Sequence, residues 1–306
     1  MEENKTGILL ESGTNELEVM EFTIAGEVFG INVAKVTEIM IPSDVKPMQH
    51  AHPCVEGVFK PRGNVITVID LPKYLGLEIP EDDRSLFIIT NFNKMDVAFR
   101  VQRVVGIARI SWTAIQKPDK IIYGGSDGVA TGLAEFEDRL ITILDFEKIV
   151  AEISPETSIK ESEIDELGER QISNEPIVIA EDSVLLAKMI VECLHKAGYR
   201  NINQFDNGQE AWDYLSSLRE DPDLRNKVSL VITDIEMPKM DGHRLTKLIK
   251  DDTKLRNIPV VIFSSLINEE TYIKGKSLGA DEQLSKPEIG HLVEVIDHLL
   301  RIRNEA

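Results

Sequence analysis

Positive charge is in short supply in this sequence of 306 residues: 34 lysines and arginines stand against 53 aspartates and glutamates, a net charge of -19. A chain so acidic repels nucleic acid and anionic membrane, so neither is expected as a partner. Cysteine is scarcer still, with only Cys54 and Cys193, far apart in the chain. Two distant thiols build no disulfide framework and suit a reducing compartment. Long hydrophobic runs are missing too. No stretch approaches the roughly 20 apolar residues of a membrane span. Residues 1–15 are polar apart from Ile8-Leu9-Leu10, unlike a signal peptide. These shortages predict a soluble protein of the cytoplasm. Hydrophobic residues make up 42% of the chain, enough for ordinary cores, and the length suggests more than one domain.

What is present is most distinctive in the second half. Val228 to Ile232 is an apolar run that ends on Thr233-Asp234, with Pro238, Asp241 and Gly242 following as turn formers. An uninterrupted run of this kind predicts a strand buried on both faces, as in a parallel α/β sheet. Pro176 to Ala180 is a second run and ends on Glu181-Asp182. Pro259 to Phe263 is a third, ending on Ser264-Ser265, and Gly279 to Ser285 is a weaker fourth, ending on Lys286-Pro287. Ligands of open parallel sheets sit beyond the carboxyl ends of the strands. Three carboxylates, a hydroxyl and an ammonium are therefore expected on one rim. At ~4 Å and an effective dielectric of ~20, each carboxylate pair repels by ~4 kcal/mol, so the cluster calls for a cation. Magnesium, which takes carboxylate oxygens and keeps waters for a phosphate, fits best. Lys286 offers a point charge to phosphoryl oxygens and Ser264 a hydrogen-bond donor.

With Glu181-Asp182, Asp234 followed by Met237-Pro238, Ser264 and Lys286-Pro287 in place, residues 176–303 resemble a CheY-like response-regulator receiver. The resemblance implies a flavodoxin-like α/β domain with a five-stranded parallel sheet and autocatalytic phosphorylation of Asp234 from a histidine kinase. It also implies Mg2+ held by Glu181, Asp182, Asp234 and the backbone carbonyl of Glu236, with Ser264 and Lys286 as the phosphoryl-binding switch residues. Gln283 departs from the family, which usually carries Tyr or Phe three residues before the lysine.

The first half has a different texture. Short alternating runs such as Met20–Ile24, Val65–Ile69, Leu86–Thr90, Val97–Val101 and Leu140–Leu144 are separated by Gly, Asn and Asp turns, which predicts an antiparallel barrel or sandwich. Within it, Ile66-Thr67-Val68-Ile69-Asp70-Leu71 matches Ile141-Thr142-Ile143-Leu144-Asp145-Phe146, and Gly57-Val58 matches Gly132-Leu133 at the same offset. Val33-Ala34-Lys35-Val36 likewise matches Val101-Gln102-Arg103-Val104. Two copies of one small barrel are expected, each with a strand ending on an Asp that caps a short helix. No catalytic constellation stands out here. His50-x-His52-x-Cys54 lacks a fourth metal ligand at usable spacing and reads as a loop. Gly124-Gly125 is too loose for a phosphate cradle and reads as a hairpin.

Phe29-Gly30-Ile31-Asn32-Val33, Gly57-Val58 leading to Arg62-Gly63, Val68-Ile69-Asp70-Leu71 and Asp138-Arg139-Leu140 together resemble the CheW family of chemotaxis coupling proteins. That resemblance implies an all-β pair of SH3-like barrels that engages the chemotaxis histidine kinase and the cytoplasmic tips of chemoreceptors, with Arg62 at the coupling interface. The turn reads Lys60-Pro61-Arg62-Gly63 where the family usually has Asn-Leu-Arg-Gly.

The expected organisation is thus an N-terminal tail over 1–15, a CheW-like domain over 16–153, an acidic linker over 154–175 and a receiver over 176–303. This is the architecture of the CheV family. It implies a non-enzymatic chemotaxis adaptor, tuned by phosphorylation of Asp234 and associated with chemoreceptor arrays at the membrane without inserting into it. The alternative is a phosphate sink that only competes for the kinase's phosphoryl groups.

Overall fold

The computed structural model describes residues 16–79, 85–93, 95–116, 128–154 and 159–305. The tail over 1–15 and the Gly124-Gly125 turn lie outside them. In the first half, strands β1 (Glu16–Ile24), β2 (Glu27–Asn32), β3 (Val36–Met40), β4 (Val55–Phe59) and β5 (Ile66–Asp70) lead into a single helical turn, α1 (Leu71–Tyr74). Then come β6 (Leu86–Phe92), β7 (Met95–Val101), β8 (Arg103–Ser111), β9 (Ile115–Gln116), β10 (Ala130–Phe136), β11 (Arg139–Leu144) and helix α2 (Phe146–Ile153). They form two sheets, ordered β3-β6-β7-β5-β4 and β8-β1-β2-β11-β10-β9. These are the two small barrels that the alternating runs predict.

The internal repeat is structural. β5 pairs antiparallel with β4 and parallel with β7, and β11 pairs antiparallel with β10 and parallel with β2. The repeated Asp closes β5 as Asp70 and directly follows β11 as Asp145. Asp70 Oδ1 accepts from the Lys73 N–H at 3.0 Å and Asp145 Oδ1 from the Lys148 N–H at 2.9 Å, so both helices start on the same cap. The repeated glycines both sit where the strand register shifts, between Val55 and Gly57 and between Ala130 and Gly132. A bulge of that kind bends its strand and helps curl the sheet. The Arg62–Glu38 pair (2.7 Å) and the bridge between Lys46 and Val58 tie β3 and the segment after it to the β4–β5 end of their sheet.

Three apolar clusters hold the barrels. Phe59, Ile66, Val68, Phe87, Ile89 and Ala98 fill one barrel, and Leu17, Val19, Ala108, Ile110, Ala134, Ile141 and Ile143 fill the other. Between them lies a seam that includes Phe22, Phe29, Ile69, Phe99, Leu144 and Phe146. Phe146 meets Phe99 edge-on at 4.7 Å and Phe22 at 6.2 Å. Complete burial of a side chain of this size contributes about 1.5–3 kcal/mol, and here it fixes the first turn of α2 in the seam.

The second half contains β12 (Ile177–Ala180), α4 (Val184–Lys196), β13 (Ile202–Phe205), α5 (Gly208–Ser217), α6 (Leu224–Lys227), β14 (Leu230–Thr233), α7 (Gly242–Asp251), β15 (Val260–Ser264), α8 (Glu269–Ser277), β16 (Glu282–Ser285) and α9 (Ile289–Glu305), preceded by α3 (Ser162–Glu166). The sheet is parallel throughout, in the order β13-β12-β14-β15-β16. Every residue of β12, β14 and β15 is buried, because helices cover both faces. α4 and α9 pack on one side, α5 and α7 on the other. Strand order reverses between β12 and β14, which opens a crevice at their carboxyl ends.

From Ile159 onward, the acidic segment before this domain is packed onto it. Ile159 and Ile164 join the core beneath α4 and α9, at 6% and 3% exposure. Glu163 accepts from the Gly290 N–H (3.0 Å), and Arg170 pairs with Asp297 (2.6 Å) and donates to the Ala197 carbonyl (2.8 Å).

Candidate functional site: an acidic pocket walled by both domains

The apolar runs end where the sheet ends, so Glu181 and Asp182 follow β12, Asp234 follows β14, Ser264 closes β15 and Lys286 follows β16. Carboxylate oxygens of Glu181, Asp182 and Asp234 lie within 4.8 Å of one another. Lys286 Nζ sits 2.7 Å from Glu181 Oε2 and 3.0 Å from Asp234 Oδ2, and all three side chains are buried. Asp234 Oδ1 also accepts from the Ile235 N–H at 2.6 Å. Ser264 is fully buried, and its hydroxyl accepts from the Leu266 N–H at 3.3 Å.

The electrostatics follow from crowding. Burial and the Asp234 charge push Glu181 up to about 8 against the opposing pull of Lys286. Burial, then Glu181, Asp234 and Glu236, hold Asp182 well above the carboxylate range. Burial disfavours the charge on Lys286, yet Asp234, Glu181 and Glu147 more than offset it and hold the ammonium well above its ordinary value. A cluster of hard oxygen donors whose burial and mutual repulsion oppose their charged forms is suited to a small divalent cation, and magnesium fits its oxygen-only donor set.

Residues that sequence reasoning missed close the pocket from the other domain. Lys35, in the 3-10 turn Val33–Lys35 after β2, reaches Glu236 Oε2 at 2.7 Å and Glu147 Oε1 at 3.0 Å. Asn32 Nδ2 donates to Glu236 Oε1 at 2.9 Å, and Ser265 Oγ donates to Glu147. The Asn93 N–H, in the β6–β7 turn, donates to the Ser265 carbonyl at 3.2 Å. One cavity is therefore lined by Lys35, Asp145 and Glu147 together with Glu181, Asp182, Asp234 and Glu236. Burial disfavours the Glu147 charge, but Lys35 and Lys286 overcome it and pull its carboxyl down to about 2. Burial and the Glu147 charge raise Asp145 to about 6. The repeat match had drawn in Lys35 only as part of a strand-like pattern, and a periodicity carries no signal for a contact between domains.

Arg62 is not among the residues lining this cavity. It occupies the turn before β5 at a left-handed φ of 50°, and its side chain is 78% exposed despite the pair with Glu38. In the His50-x-His52-x-Cys54 segment, the Cys54 N–H donates to His52 Nδ1 at 3.2 Å and closes a local turn. Gln283 is buried at 7% exposure, with its amide donating to the Tyr272 carbonyl at 2.8 Å.

Comparison with known proteins matches the two domains separately. A CheW-like domain is matched over residues 18–154 and a response regulator receiver domain over residues 177–297. Chemotaxis protein CheV3 of Helicobacter pylori is 29% identical over 308 residues, spanning 94% of this chain and 95% of that protein. Chemotaxis protein CheW of Thermotoga maritima is 30% identical over 145 residues, 47% of this chain and 95% of that one. The chain belongs to the CheV-type chemotaxis coupling proteins. A CheV-type protein is a coupling adaptor regulated through phosphorylation of its receiver, and the two matched segments here are the barrel pair and the parallel-sheet domain. Among the described residues no helix is long and apolar enough to cross a membrane.

Proposed function

We propose that Asp234 is the phosphoacceptor through which this adaptor is controlled. A carboxylate oxygen of Asp234 attacks phosphorus, the P–N bond of a kinase phosphohistidine breaks as the new P–O bond forms, and the leaving imidazole takes up a proton. Glu181, Asp182, Asp234 and the Glu236 backbone carbonyl would hold magnesium, which would supply neutralising charge for the phosphoryl oxygens. Lys286 faces the same oxygens with its ammonium, and Ser264 turns its hydroxyl from the Leu266 N–H to the phosphoryl group. No other catalysis is assigned to the chain.

The reading divides the chain into a tail over 1–15, a coupling unit over 16–153, an acidic connecting segment over 154–175 and a receiver over 176–303. The coupling unit binds the chemotaxis histidine kinase and the cytoplasmic tips of chemoreceptors, with Arg62 on the kinase or receptor side. The protein then works in the cytoplasm, at receptor arrays on the membrane. The observation that carries the adaptor over a phosphate sink is the shared wall of the acid pocket: a sink has no need of Lys35 and Glu147 from the coupling unit.

The test is kinase activity in reconstituted receptor complexes, with and without a phosphodonor. Wild-type protein is expected to support the kinase and to change its output on phosphorylation, and Asp234→Ala to support it without that change. A protein lacking the receiver should still support the kinase. Loss of support on deleting the receiver, or equal responses of wild type and Asp234→Ala, rejects the reading.

A further inference from the structure

Glu147 and Lys35 have no part in the phosphotransfer chemistry just described, yet both are buried against its pocket. The seam packing of Phe146 fixes the start of α2, and this directs the next side chain, Glu147, at the receiver. There it accepts from Ser265, the neighbour of Ser264, and meets Lys35 at 3.0 Å. Lys35 in turn holds Glu236, two residues beyond Asp234, at 2.7 Å. Asp145, Glu147, Glu181, Asp182, Asp234 and Glu236 thus line one cavity with Lys35 as its cationic lining residue.

A divalent cation relieves that imbalance and a phosphoryl group worsens it. Phosphorylation brings a further negative charge and three acceptor oxygens to the Asp234 side of the cavity. Like charges in a poorly solvated space repel strongly. The clasp itself is a set of desolvated charges, a kind of contact whose desolvation penalty offsets much of its attraction, so a modest change tips it.

Resting on the assignment of Asp234 as acceptor, we propose that Glu147 is an acidic occupant at the entrance to the phosphoryl site, and that docking of the coupling unit through Lys35, Glu147 and Glu236 opposes phosphorylation of Asp234. In the docked form Glu147 slows transfer. Once Asp234 is phosphorylated, Glu147 and Lys35 leave the pocket and the two domains disengage there, so the β2–β3 corner and the start of α2 become accessible.

The experiment uses the full chain with magnesium and acetyl phosphate, reading acid-labile phosphorylation of wild type, Glu147→Gln and Asp234→Asn. In parallel, hydrogen exchange is followed over residues 32–36 and 145–150 with and without beryllium fluoride. Glu147→Gln, which keeps the shape and removes the charge, is expected to be labelled about fivefold to tenfold faster than wild type. Beryllium fluoride is expected to raise exchange in both segments of wild type. Lys35→Met, which leaves Glu147 and Glu236 facing each other uncompensated, should raise exchange without it. Equal labelling of wild type and Glu147→Gln, or exchange indifferent to beryllium fluoride in a protein that is labelled on Asp234, overturns the proposal and leaves the acceptor standing. Labelling of Asp234→Asn at the wild-type rate instead overturns the acceptor, and the proposal falls with it.

Discussion

Lys286 Nζ lies 3.0 Å from Asp234 Oδ2, and the same ammonium lies closer still, at 2.7 Å, to Glu181. The two carboxylates depend on the lysine, whereas the lysine keeps a partner if either acid is lost. Asp234→Ala is therefore expected to change the receiver's stability by about 1 kcal/mol or less, since it also relieves carboxylate repulsion. Lys286→Met leaves buried carboxylates unpaired and is expected to cost about 3–5 kcal/mol. Urea denaturation of the two variants checks the asymmetry, and equal losses would contradict it.

Opposite pH edges are expected from Glu181 and His243. Glu181 is raised to about 8, chiefly by burial, so the folded protein binds more protons there than the unfolded chain, and stability falls as pH rises from about 4.5 to 8. His243 is lowered to about 4, again chiefly by burial, so its contribution is lost as pH falls from about 6.5 to 4. Magnesium competes with protons for the first site and not the second. Hydrogen exchange at β14, measured across pH, should show millimolar magnesium lifting the alkaline edge and leaving the acid edge in place.

Arg62→Glu should separate assembly from folding. The Arg62–Glu38 pair is largely exposed, and such pairs are worth about 0–1 kcal/mol. Stability and acetyl phosphate labelling should hardly move, while binding to the kinase or receptor weakens by ~1–4 kcal/mol if Arg62 is an interface anchor. Unchanged recovery of both partners in a pull-down returns Arg62 to an ordinary solvated turn.

Ser264→Ala and Gln283→Ala should part in the opposite sense. Gln283 packs over Gly275, where even a single added carbon would lie 2.1 Å from its Oε1. Its loss empties space and breaks the bond to Tyr272, for about 1–3 kcal/mol of stability, without removing a donor to the phosphoryl group. Ser264→Ala should permit labelling of Asp234 yet uncouple it from kinase control. The comparison is kinase output at equal phosphorylation, and a Ser264→Ala protein that still switches would refute this account.

The two repeated glycines carry different loads. Gly57 has a φ of +149° and a Cβ there would stand 2.1 Å from the Lys46 carbonyl oxygen, whereas at Gly132 the obstacle is the Ile115 side chain at 2.4 Å. Backbone does not yield as a side chain does. Gly57→Ala is expected to cost about 3 kcal/mol or more and Gly132→Ala about 1–2 kcal/mol, read from thermal midpoints.

The receiver's acid rim was legible because buried parallel strands must be apolar throughout, so the first polar residue after each run marks the rim. Asp234, Glu181 and Lys286 were found that way. β13 was not, since an edge strand reading Ile202-Asn203-Gln204-Phe205 is only half covered and needs no apolar run. The capping Asp residues and the matched glycines announced the barrel repeat because each answers a local backbone need. Lys35 and Glu147 answer a need of the other domain, which leaves no periodic trace. The acidic segment's average composition likewise hid Ile159 and Ile164, two apolar residues that suffice to seat it on the receiver.

The crossings between the two sheets make the coupling unit a nested object. β3 to β7 form one contiguous barrel, inserted as a parenthesis between β2 and β8 of the other. The inserted chain leaves and rejoins the outer barrel on opposite flanks of β1, with Asn32 beside Val19 and Arg103 beside Thr23. Lys35 stands at the opening of that parenthesis, and Glu147 emerges only after the outer barrel's last strand. The clasp on the receiver thus joins residues from either side of the insertion, one before the inner barrel and one after the outer barrel's last strand.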